Sequence, residues 1–409
     1  MPESTALLAQ ERRSAVSLAL IFALRMLGLF LVLPVFSLEA RKYPGGDDPA
    51  LIGLAMGIYG LTQGVLQIPF GVASDRFGRK RVMVIGLVIF AAGSAMAALA
   101  PTLAWLVSGR ALQGAGAISA AVTALLADQT RDIVRTKAMA MVGASIGLMF
   151  AISLVLSPLL NSLVGLNGLF ALTGVLALAG IAVVLWWVPP EPRAHAELAQ
   201  VSVGQGLAAV LRHPALLRLY FGVFMLHAVQ LAMWVALPTM LVQAGLAKDH
   251  HWWVYLPAVL GSFFVMGGTL FPMERRGYLR AVFLGAVALI GLVQLGLLGV
   301  ATGAPTVTEL SVLLFLFFCG FNILEASQPS MASRVAPPSA RGSALGVYNS
   351  LQSLGFFCGG LLGGWLVKNT GPQGLFIACA VAMLLWLAVA WPMAATPGRS
   401  SKPAAKSAA

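Results

Sequence analysis

The stretch GVASDRFGRKR, from Gly71 to Arg81, is a short charged segment between two long apolar runs. Charged residues make up only 10% of the chain, yet five of them lie within these eleven positions. A turn this short between two helices needs a residue without Cβ strain, and Gly78 supplies it. We expect Asp75 to lie beside the positive N-terminal end of the following helix and to pair with Arg79. The segment therefore predicts a tight connection between two helices, with its own ion pair.

On either side of this segment the chain consists mainly of apolar blocks. Of the 409 residues 59% are hydrophobic, whereas a soluble domain has roughly 45–50% apolar residues. A run of about 18 or more residues with few charges is typical of a membrane-spanning helix. The blocks predict an all-α integral membrane protein with twelve transmembrane helices in contact with the lipid bilayer. The predicted helices cover residues 14–38, 49–71, 82–100, 102–125, 137–160, 166–188, 214–240, 252–272, 279–300, 309–331, 343–367 and 373–395.

The basic residues alternate between loops rather than clustering in one region. Of the 26 Lys and Arg residues, 20 fall in the two termini and in every second loop, and four fall in the other loops. The positive-inside rule then predicts that both termini are cytoplasmic, in a plasma membrane such as the bacterial inner membrane. The net charge of +12 is thus explained by topology, and we expect no nucleic-acid partner. The three cysteines have no metal-ligand spacing, so neither a metal nor a cofactor is expected.

The longest interruption of the apolar pattern divides the chain into two similar halves. It is the polar stretch VPPEPRAHAELAQVSVGQGLAAVLRHP, which runs from Val188 to Pro214. The sequence DRFG at 75–78 also returns as ERRG at 274–277, in the corresponding loop of the second half. Two similar six-helix halves indicate a transporter built from repeats, with a central site between them. The predicted divisions are a cytoplasmic N-terminus at 1–13, a first bundle at 14–188, a cytoplasmic linker at 189–213, a second bundle at 214–395 and a tail at 396–409.

The segment GVASDRFGRK resembles the loop signature of the major facilitator superfamily, whose pattern is Gly, three residues, Asp-Arg, one residue and Gly-Arg-Lys/Arg. In that family the loop is an intracellular latch. Its charges lock the two halves when the site opens outward and separate when it opens inward, which is a bistable arrangement. From the residues alone, a plain topology signal is the alternative interpretation. The resemblance assigns the latch role to Gly71, Asp75, Arg76, Gly78, Arg79 and Lys80, with Asp128 as the acidic partner of Arg79.

Further motifs are similar to the same family. In GRALQGAGAISAA, Arg110 and Gln113 begin a pattern like Arg-x-x-Gln-Gly-x-Gly. An arginine there costs about 2.5–3.5 kcal/mol on insertion scales, so it should face a cavity or a partner; a structural ion pair is the alternative. The text MGIYGLTQGVLQIPFG, with FALRMLGLFLVLPVF in the first helix, resembles the YajR-like branch of the twelve-helix drug/proton antiporters. The antiporter signature of the fifth helix is only partly matched, since Ser153 and Ser157 replace two of its glycines.

Four ionisable side chains stand out in the middle of predicted helices, where such groups are functional candidates by default: Arg25, Arg110, His227 and Glu325. Histidine exchanges protons near neutral pH, so His227 suits a proton coupler; a neutral histidine bonded between helices is the alternative. Burial of Glu325 would favour its protonated form, whereas a position near the helix end would make it an ordinary surface charge.

Polar groups at helical spacing indicate which faces line a cavity. Tyr59, Gln63 and Gln67 recur every four residues, and Asn322 lies three residues before Glu325. Direct bonding between helices is the alternative for these groups. Rows of glycine at four-residue spacing predict close helix packing on the second and eleventh helices. These rows are Gly53/Gly57, Gly60/Gly64 and Gly355/Gly359/Gly363.

Taken together, these patterns predict a secondary active transporter rather than an enzyme. The chain has no phosphate-binding loop and no catalytic constellation, so uphill transport would draw on an ion gradient. We expect a monomer that exports small organic or drug-like molecules in exchange for protons by alternating access. A symporter or uniporter that imports a metabolite is the main alternative. A membrane-embedded enzyme, active in detergent without a gradient, and a scaffold without transport are two others.

Overall fold

The computed structural model describes residues 7–191, 203–337 and 340–393. Across these ranges the chain forms α-helices joined by short turns, without a β-strand. The predicted all-α membrane fold is confirmed, whereas the predicted tail at 396–409 and the linker residues 192–202 lie outside the described ranges. The helices are α1 Ala9–Glu39, α2 Pro49–Phe77, α3 Arg79–Ala98, α4 Leu103–Ala115, α5 Ser119–Asp128, α6 Asp132–Trp186, α7 Val203–Leu211, α8 Pro214–Gln243, α9 Trp252–Arg275, α10 Leu279–Thr302, α11 Val307–Val335 and α12 Arg341–Ala390.

Ten stretches among the described residues are long and apolar enough to cross a membrane. Two of them, in α6 and α12, are 46 and 50 residues long. Since about 20 residues cross the hydrocarbon core, each is long enough for two crossings. Each also contains one non-helical glycine, Gly165 at φ +66° and Gly371 at φ +70°. Both glycines lie between helices that the sequence predicts as separate, although the total of twelve stays a prediction.

Helix α2 is longer than the hydrophobic pattern indicates. It continues to Phe77, six residues beyond the predicted end, so the prediction that Gly71 ends this helix was wrong. Charged side chains end an apolar run but do not end a helix, because their helix propensity is ordinary. The connection to α3 is Gly78 alone, at φ +96°, a conformation that glycine adopts without steric cost.

Two other predicted segments differ from the structure. The predicted helix 102–125 is broken into α4 and α5, because the chain leaves the helix at Gly116, where a Cβ would meet the backbone of Gly86 and Phe90 on α3. The predicted linker 189–213 contains a short helix, α7. Hydropathy alone shows neither a break inside an apolar run nor a helix outside one.

The two halves pack closely along α2 and α12. A Cβ at Gly53 would meet the backbone of Gly360 and Gly364, and a Cβ at Gly60 would meet the carbonyl of Ser353. The row Gly355, Gly359 and Gly363 instead faces α8, within the second half. Both sides of α12 therefore approach a neighbouring backbone. The glycines that meet the first half, Gly360 and Gly364, lie one position after those of the predicted row.

Ion pairs between the halves lie at the end remote from the charged segment. Lys248 Nζ is 2.7 Å from Glu39 Oε1, and Lys368 Nζ is 2.9 Å from Asp48 Oδ2. At the other end, in the part of the chain that the structure describes, the ion pairs join groups of the same half: Arg79–Asp75, Arg79–Asp128, Arg131–Glu11 and Arg334–Glu274. The structure is thus held closed at the end opposite Gly78.

Candidate functional site

The charged segment forms a compact cluster around Arg79. Its guanidinium pairs with Asp75, one helical turn earlier, and its Nε lies 3.2 Å from Oδ2 of Asp128 at the end of α5. Its Nη1 also donates to Ser74 Oγ at 2.7 Å. Both ion pairs that the sequence predicts for Arg79 are present, and they join α2, α3 and α5 at one point.

The other members of the predicted latch lie around this cluster in different ways. Lys80 Nζ donates to the carbonyl of Val188 at 2.6 Å, which ties α3 to the end of α6. Arg76 is exposed and lies over the ring of Phe77, 5.7 Å from its centroid. Gly71 is inside α2, beside Ala120 of α5. Neither Arg76 nor Gly71 takes part in the ion pairs.

Arg25 forms a second cluster, in the middle of the first half. It is 1% exposed, and its Nη2 donates to Tyr59 Oη at 2.6 Å and to Gln63 Oε1 at 3.0 Å. Its Nη1 donates to Ser119 Oγ at 3.1 Å. The spacing of Tyr59 and Gln63 therefore does place both on one face, where they share Arg25. Gln67, the third member of that stripe, is buried with no bond to either amide atom.

Arg110 is held mainly by the backbone. Its Nε and Nη2 donate to the carbonyls of Ala55 and Met56, both at 3.3 Å, and its Nη1 donates to Gln113 at 3.1 Å. Gln113 in turn donates to Ser94 on α3 at 2.8 Å. Among the described residues no carboxylate lies within ion-pair distance of Arg25 or Arg110, so the alternative of a structural ion pair at Arg110 is not what the structure shows.

His227 and Glu325, predicted as separate candidates, lie together in the second half. His227 Nε2 is 3.2 Å from Glu325 Oε2, and both are bonded by the amide nitrogen of Gln352, at 2.8 Å and 3.3 Å. The three side chains come from α8, α11 and α12. We refer to these three side chains as the proton cluster.

The contact between His227 and Glu325 brings two hydrogen-bond acceptors together when the ring is neutral and the carboxylate is ionised. His227 Nδ1 lies 2.8 Å from the carbonyl of Val223, an acceptor only, so in a neutral ring Nδ1 carries the hydrogen. Nε2 is then an acceptor, and it lies 3.2 Å from a carboxylate oxygen of Glu325, which is also an acceptor when ionised. One proton placed between these two atoms would join them by a hydrogen bond.

The proton cluster is partly exposed through its carboxylate. The side chain of Glu325 is 36% exposed, whereas that of His227 is 2% exposed. Glu325 lies ten residues before the end of α11, about 15 Å along the helix, so it is not a helix-end charge. Its partners come from α8 and α12, so a partly accessible carboxylate is held between neighbouring helices.

Asn322 does not join the proton cluster. Its amide donates to Ser262 Oγ on α9 at 2.8 Å, so the residue three positions before Glu325 faces a different helix. Aromatic rings surround His227 instead: Phe321 and Phe356 lie edge-on, with centroids 5.9 Å and 4.8 Å from the imidazole. Phe150 of the first half packs on Phe321 at 6.3 Å, which extends the apolar surface across both halves.

A single amide connects the Arg25 cluster with the second half. Gln63 accepts from Arg25 through its oxygen and donates from its nitrogen to Ser353 Oγ at 3.1 Å. Ser353 follows Gln352 of the proton cluster on α12. Sequence reasoning missed Ser119, Ser353 and the pairing of His227 with Glu325, since spacing along one helix shows a face but not the partner across from it.

Comparison with known proteins agrees with this architecture. A model of the Major Facilitator Superfamily matches residues 18–324 and 271–409. The chain is 43% identical over 391 residues to the inner membrane transport protein YajR of Escherichia coli K12, which covers 96% of this chain and 85% of YajR. It is 28% identical to the multidrug resistance protein MdtH of Aeromonas salmonicida, over 87% of this chain and 88% of MdtH.

Two solved transporter structures share the fold. The nucleoside transporter NupG superposes with a TM-score of 0.72 at 16% identity, over 93% of this chain and 99% of NupG. The human organic anion transporter MFSD10 superposes with a TM-score of 0.68 at 18% identity, over 94% of this chain and all of that chain. At such identities the likeness concerns the fold alone. With the family model and the YajR match covering nearly the whole sequence, this chain belongs to the major facilitator superfamily of membrane transporters.

Proposed function

We propose that this protein is a proton-coupled exporter, which exchanges protons for small organic molecules by alternating access. It acts as a monomer in a bacterial inner membrane, with the Arg79 cluster and both termini on the cytoplasmic side. The observation that carries the proposal is the proton cluster. A partly exposed carboxylate and a buried imidazole lie 3.2 Å apart on helices long and apolar enough to cross a membrane, an arrangement that supports a one-proton site.

The position of the proton cluster supports coupling rather than a structural role. Ionisable groups within a membrane are costly, and they mark substrate and proton pathways. When Glu325 or His227 binds a proton, the repulsion between their facing acceptors is removed, and Gln352 no longer has to donate to both. Protonation then changes the bonds of α12, the helix that packs on the first half. A proton then binds with different affinity to two arrangements of α12 against the first half, as coupling requires.

The surroundings of the proton cluster favour aromatic or cationic organic substrates. Apolar rings are supplied by Phe321, Phe356 and Phe150. Glu325 supplies a partly exposed negative charge. Aromatic faces attract organic cations, and a nearby carboxylate adds to the attraction. MdtH carries the name of a multidrug resistance protein, and a class B tetracycline resistance protein of Escherichia coli is 30% identical over 37% of this chain.

Proton-coupled import is the second candidate function. The sequence of the fifth predicted helix, 137–160, which forms part of α6, favours it. Ser153 and Ser157 stand at positions where the antiporter signature has glycine, and both are fully buried in α6. Direction of coupling is therefore the property to measure first.

Purified protein in liposomes with an acidic lumen tests the direction. We expect ethidium, a permanently charged aromatic cation, to accumulate in the lumen as protons leave, and Glu325→Gln and His227→Gln to abolish this accumulation. Glu309→Gln is the control, because it makes the same change on the same helix at an exposed N-terminal position. Accumulation only when the bath is the acidic side would identify a symporter. Gradient-driven uptake that survives in both variants would refute the role of the proton cluster.

A further inference from the structure

The segment 187–191, which leads from the end of α6 into the predicted linker at 189–213, lies across the Arg79 cluster rather than leaving it. Four of its five residues accept hydrogen bonds through their carbonyls, from three side chains of the first half. These bonds are Arg13 Nε to Trp187 at 3.0 Å, Lys80 Nζ to Val188 at 2.6 Å, and Gln129 Nε2 to Pro189 at 3.1 Å and Pro190 at 3.2 Å.

The fifth residue, Glu191, binds the first two backbone N–H groups of α3. Arg79 N donates to its Oε2 at 3.1 Å, and Lys80 N donates to its Oε1 at 2.6 Å. The first N–H groups of a helix have no partner within the helix, and the helix dipole favours a negative charge beside them. Glu191 thus caps α3, and both of its oxygens are used.

This contact adds a second carboxylate at the start of α3. Asp75 pairs with the Arg79 side chain, as expected, whereas Glu191 of the linker binds the backbone N–H groups. Gly78 lies beside this contact, and its positive φ is what requires glycine. A Cβ there would lie 3.4 Å from Glu191 Oε2, on a residue whose positive φ already disfavours a side chain.

Arg79 is consequently held from two directions. Its side chain is bound to Asp75 and Asp128, whereas its backbone is bound to the linker through Glu191. The linker is the covalent connection between the halves, so a rocking motion of one half against the other is transmitted to it. The same structure is closed at the remote end by Lys248–Glu39 and its neighbouring pair.

We propose that Glu191 is a positioning residue, which fastens the linker to the start of α3 and stabilises the pose that is closed at the end remote from Gly78. Glu191 contacts none of the three side chains of the proton cluster. Its loss shifts the balance between poses away from the one described here, and so changes turnover, while binding at the central site is unaffected.

Pulsed electron paramagnetic resonance on the full chain measures this balance directly. Spin labels at Leu99→Cys and Thr308→Cys lie on exposed positions at the remote ends of the two halves, in a background where the three native cysteines are alanine. Removing a charged cap is worth roughly 1 kcal/mol, which corresponds to about a fivefold change in the ratio of the two populations. We expect Glu191→Ala to lower the short-distance population by that factor and Glu191→Gln, which keeps one acceptor oxygen, to lower it less.

Glu309→Gln provides the matched control. Glu309 accepts from the backbone N–H of Thr306 at 3.2 Å, at the N-terminus of α11, so it also caps a helix, but far from the linker. We expect this variant to leave the distance distribution unchanged, and ethidium binding to be equal in all variants. Unchanged distances in Glu191→Ala, or the same shift in Glu309→Gln, would overturn the proposal. Glu191→Gln decides the outcome if the alanine variant does not fold.

Discussion

The positive charge of Arg25 lies inside the first half, where its guanidinium donates hydrogen bonds to neutral oxygens. Three side chains supply these oxygens, Tyr59 at 2.6 Å, Gln63 at 3.0 Å and Ser119 at 3.1 Å, and the Nε has no bond. The rings of Tyr59 and Phe90 lie 5.9 Å and 5.5 Å from the guanidinium carbon, and their faces stabilise a cation. The charge therefore depends on every one of these contacts, since water does not replace them.

Removal of one hydroxyl tests this dependence. We expect Tyr59→Phe to destabilise the protein by about 1.5–3 kcal/mol, the usual contribution of a hydrogen bond to a charged group. Thermal unfolding in detergent measures the loss as a lower midpoint. Tyr278→Phe is the control, because Tyr278 is 58% exposed and makes the same change at a surface site. Equal midpoints for the two variants would contradict the view that Tyr59 stabilises Arg25.

At the scale of single residues, the sequence predicted contacts that are local and missed those that are not. Asp75 and Arg79 lie four positions apart across the one-residue connection at Gly78, so they are close along the chain, and Tyr59 and Gln63 lie one helical turn apart on the same face of α2. Glu191 lies 112 positions from Arg79, and its contact follows only once the linker has been placed.

Helices α2 and α12 pack so closely that glycine is required at their contact. A Cβ at Gly360 would meet the carbonyl of Gly53 and the backbone of Gly57, and backbone atoms cannot rotate away as a flexible side chain can. Small residues at such crossings permit close packing of membrane helices. The contact places Ser353 within reach of Gln63, so the same glycines position the polar bond between the halves.

One added methyl group tests the α2–α12 contact. We expect Gly360→Ala to destabilise the protein by about 1–3 kcal/mol, as overpacking does, and to slow ethidium transport. Gly346→Ala on the same helix is the control, because nothing lies within 4 Å of the added Cβ there. There the change should be neutral or slightly stabilising, since alanine favours a helix over glycine. A stable and active Gly360→Ala protein would show that the helices are free to separate.

At the scale of helices, apolar length predicted where the chain crosses the membrane but not where its helices end. α2 continues through Ser74 and Asp75 to Phe77, because a helix persists after it leaves the apolar layer. The glycine row of α12 was recognised, but its register was not. Rows that start at Gly355 and at Gly360 have the same spacing, and only the neighbouring backbones distinguish them.

The whole molecule is held in one pose by charges at one end. Lys248–Glu39 and Lys368–Asp48 cross from half to half, and Arg41 donates to Thr239 at 3.4 Å beside them. At the opposite end, the ion pairs among the described residues join groups of the same half. Under the proposed orientation, the closed end is the one that faces away from the cytoplasm.

Acid should loosen the closed end. The hydrogen bond from Lys368 holds the pKa of Asp48 below its ordinary value. That bond is lost when the halves separate, so the pKa then returns toward its ordinary value. A group whose pKa is lowered in one pose stabilises that pose above its ordinary pKa, and this contribution disappears as the pH falls through the lowered value. We expect the Leu99–Thr308 label distance to lengthen in that acidic range.

Asp48→Asn should reduce this acid response, because asparagine does not titrate, whereas Glu39, whose pair with Lys248 also crosses between the halves, can still be protonated. Asp47→Asn is the control, since Asp47 is exposed and adjacent. An acid response of equal size in both variants would place its origin at another group.

For the molecule as a whole, the sequence predicted two similar halves but not their pose. The repeat of DRFG at 75–78 as ERRG at 274–277, and the alternation of basic loops, are properties of the chain in every pose. Which end is closed depends on a small free-energy difference between arrangements that share almost all of their contacts.

The amide of Gln63 restricts what can enter between the halves. Its oxygen accepts from Arg25 and its nitrogen donates to Ser353, so both polar atoms of the amide already have a partner. A molecule that displaces the Gln63 amide leaves the buried guanidinium of Arg25 without this hydrogen bond, unless the molecule supplies an acceptor of its own. We therefore expect molecules with a suitably placed oxygen to bind between the halves at Gln63, and purely hydrocarbon molecules not to bind there.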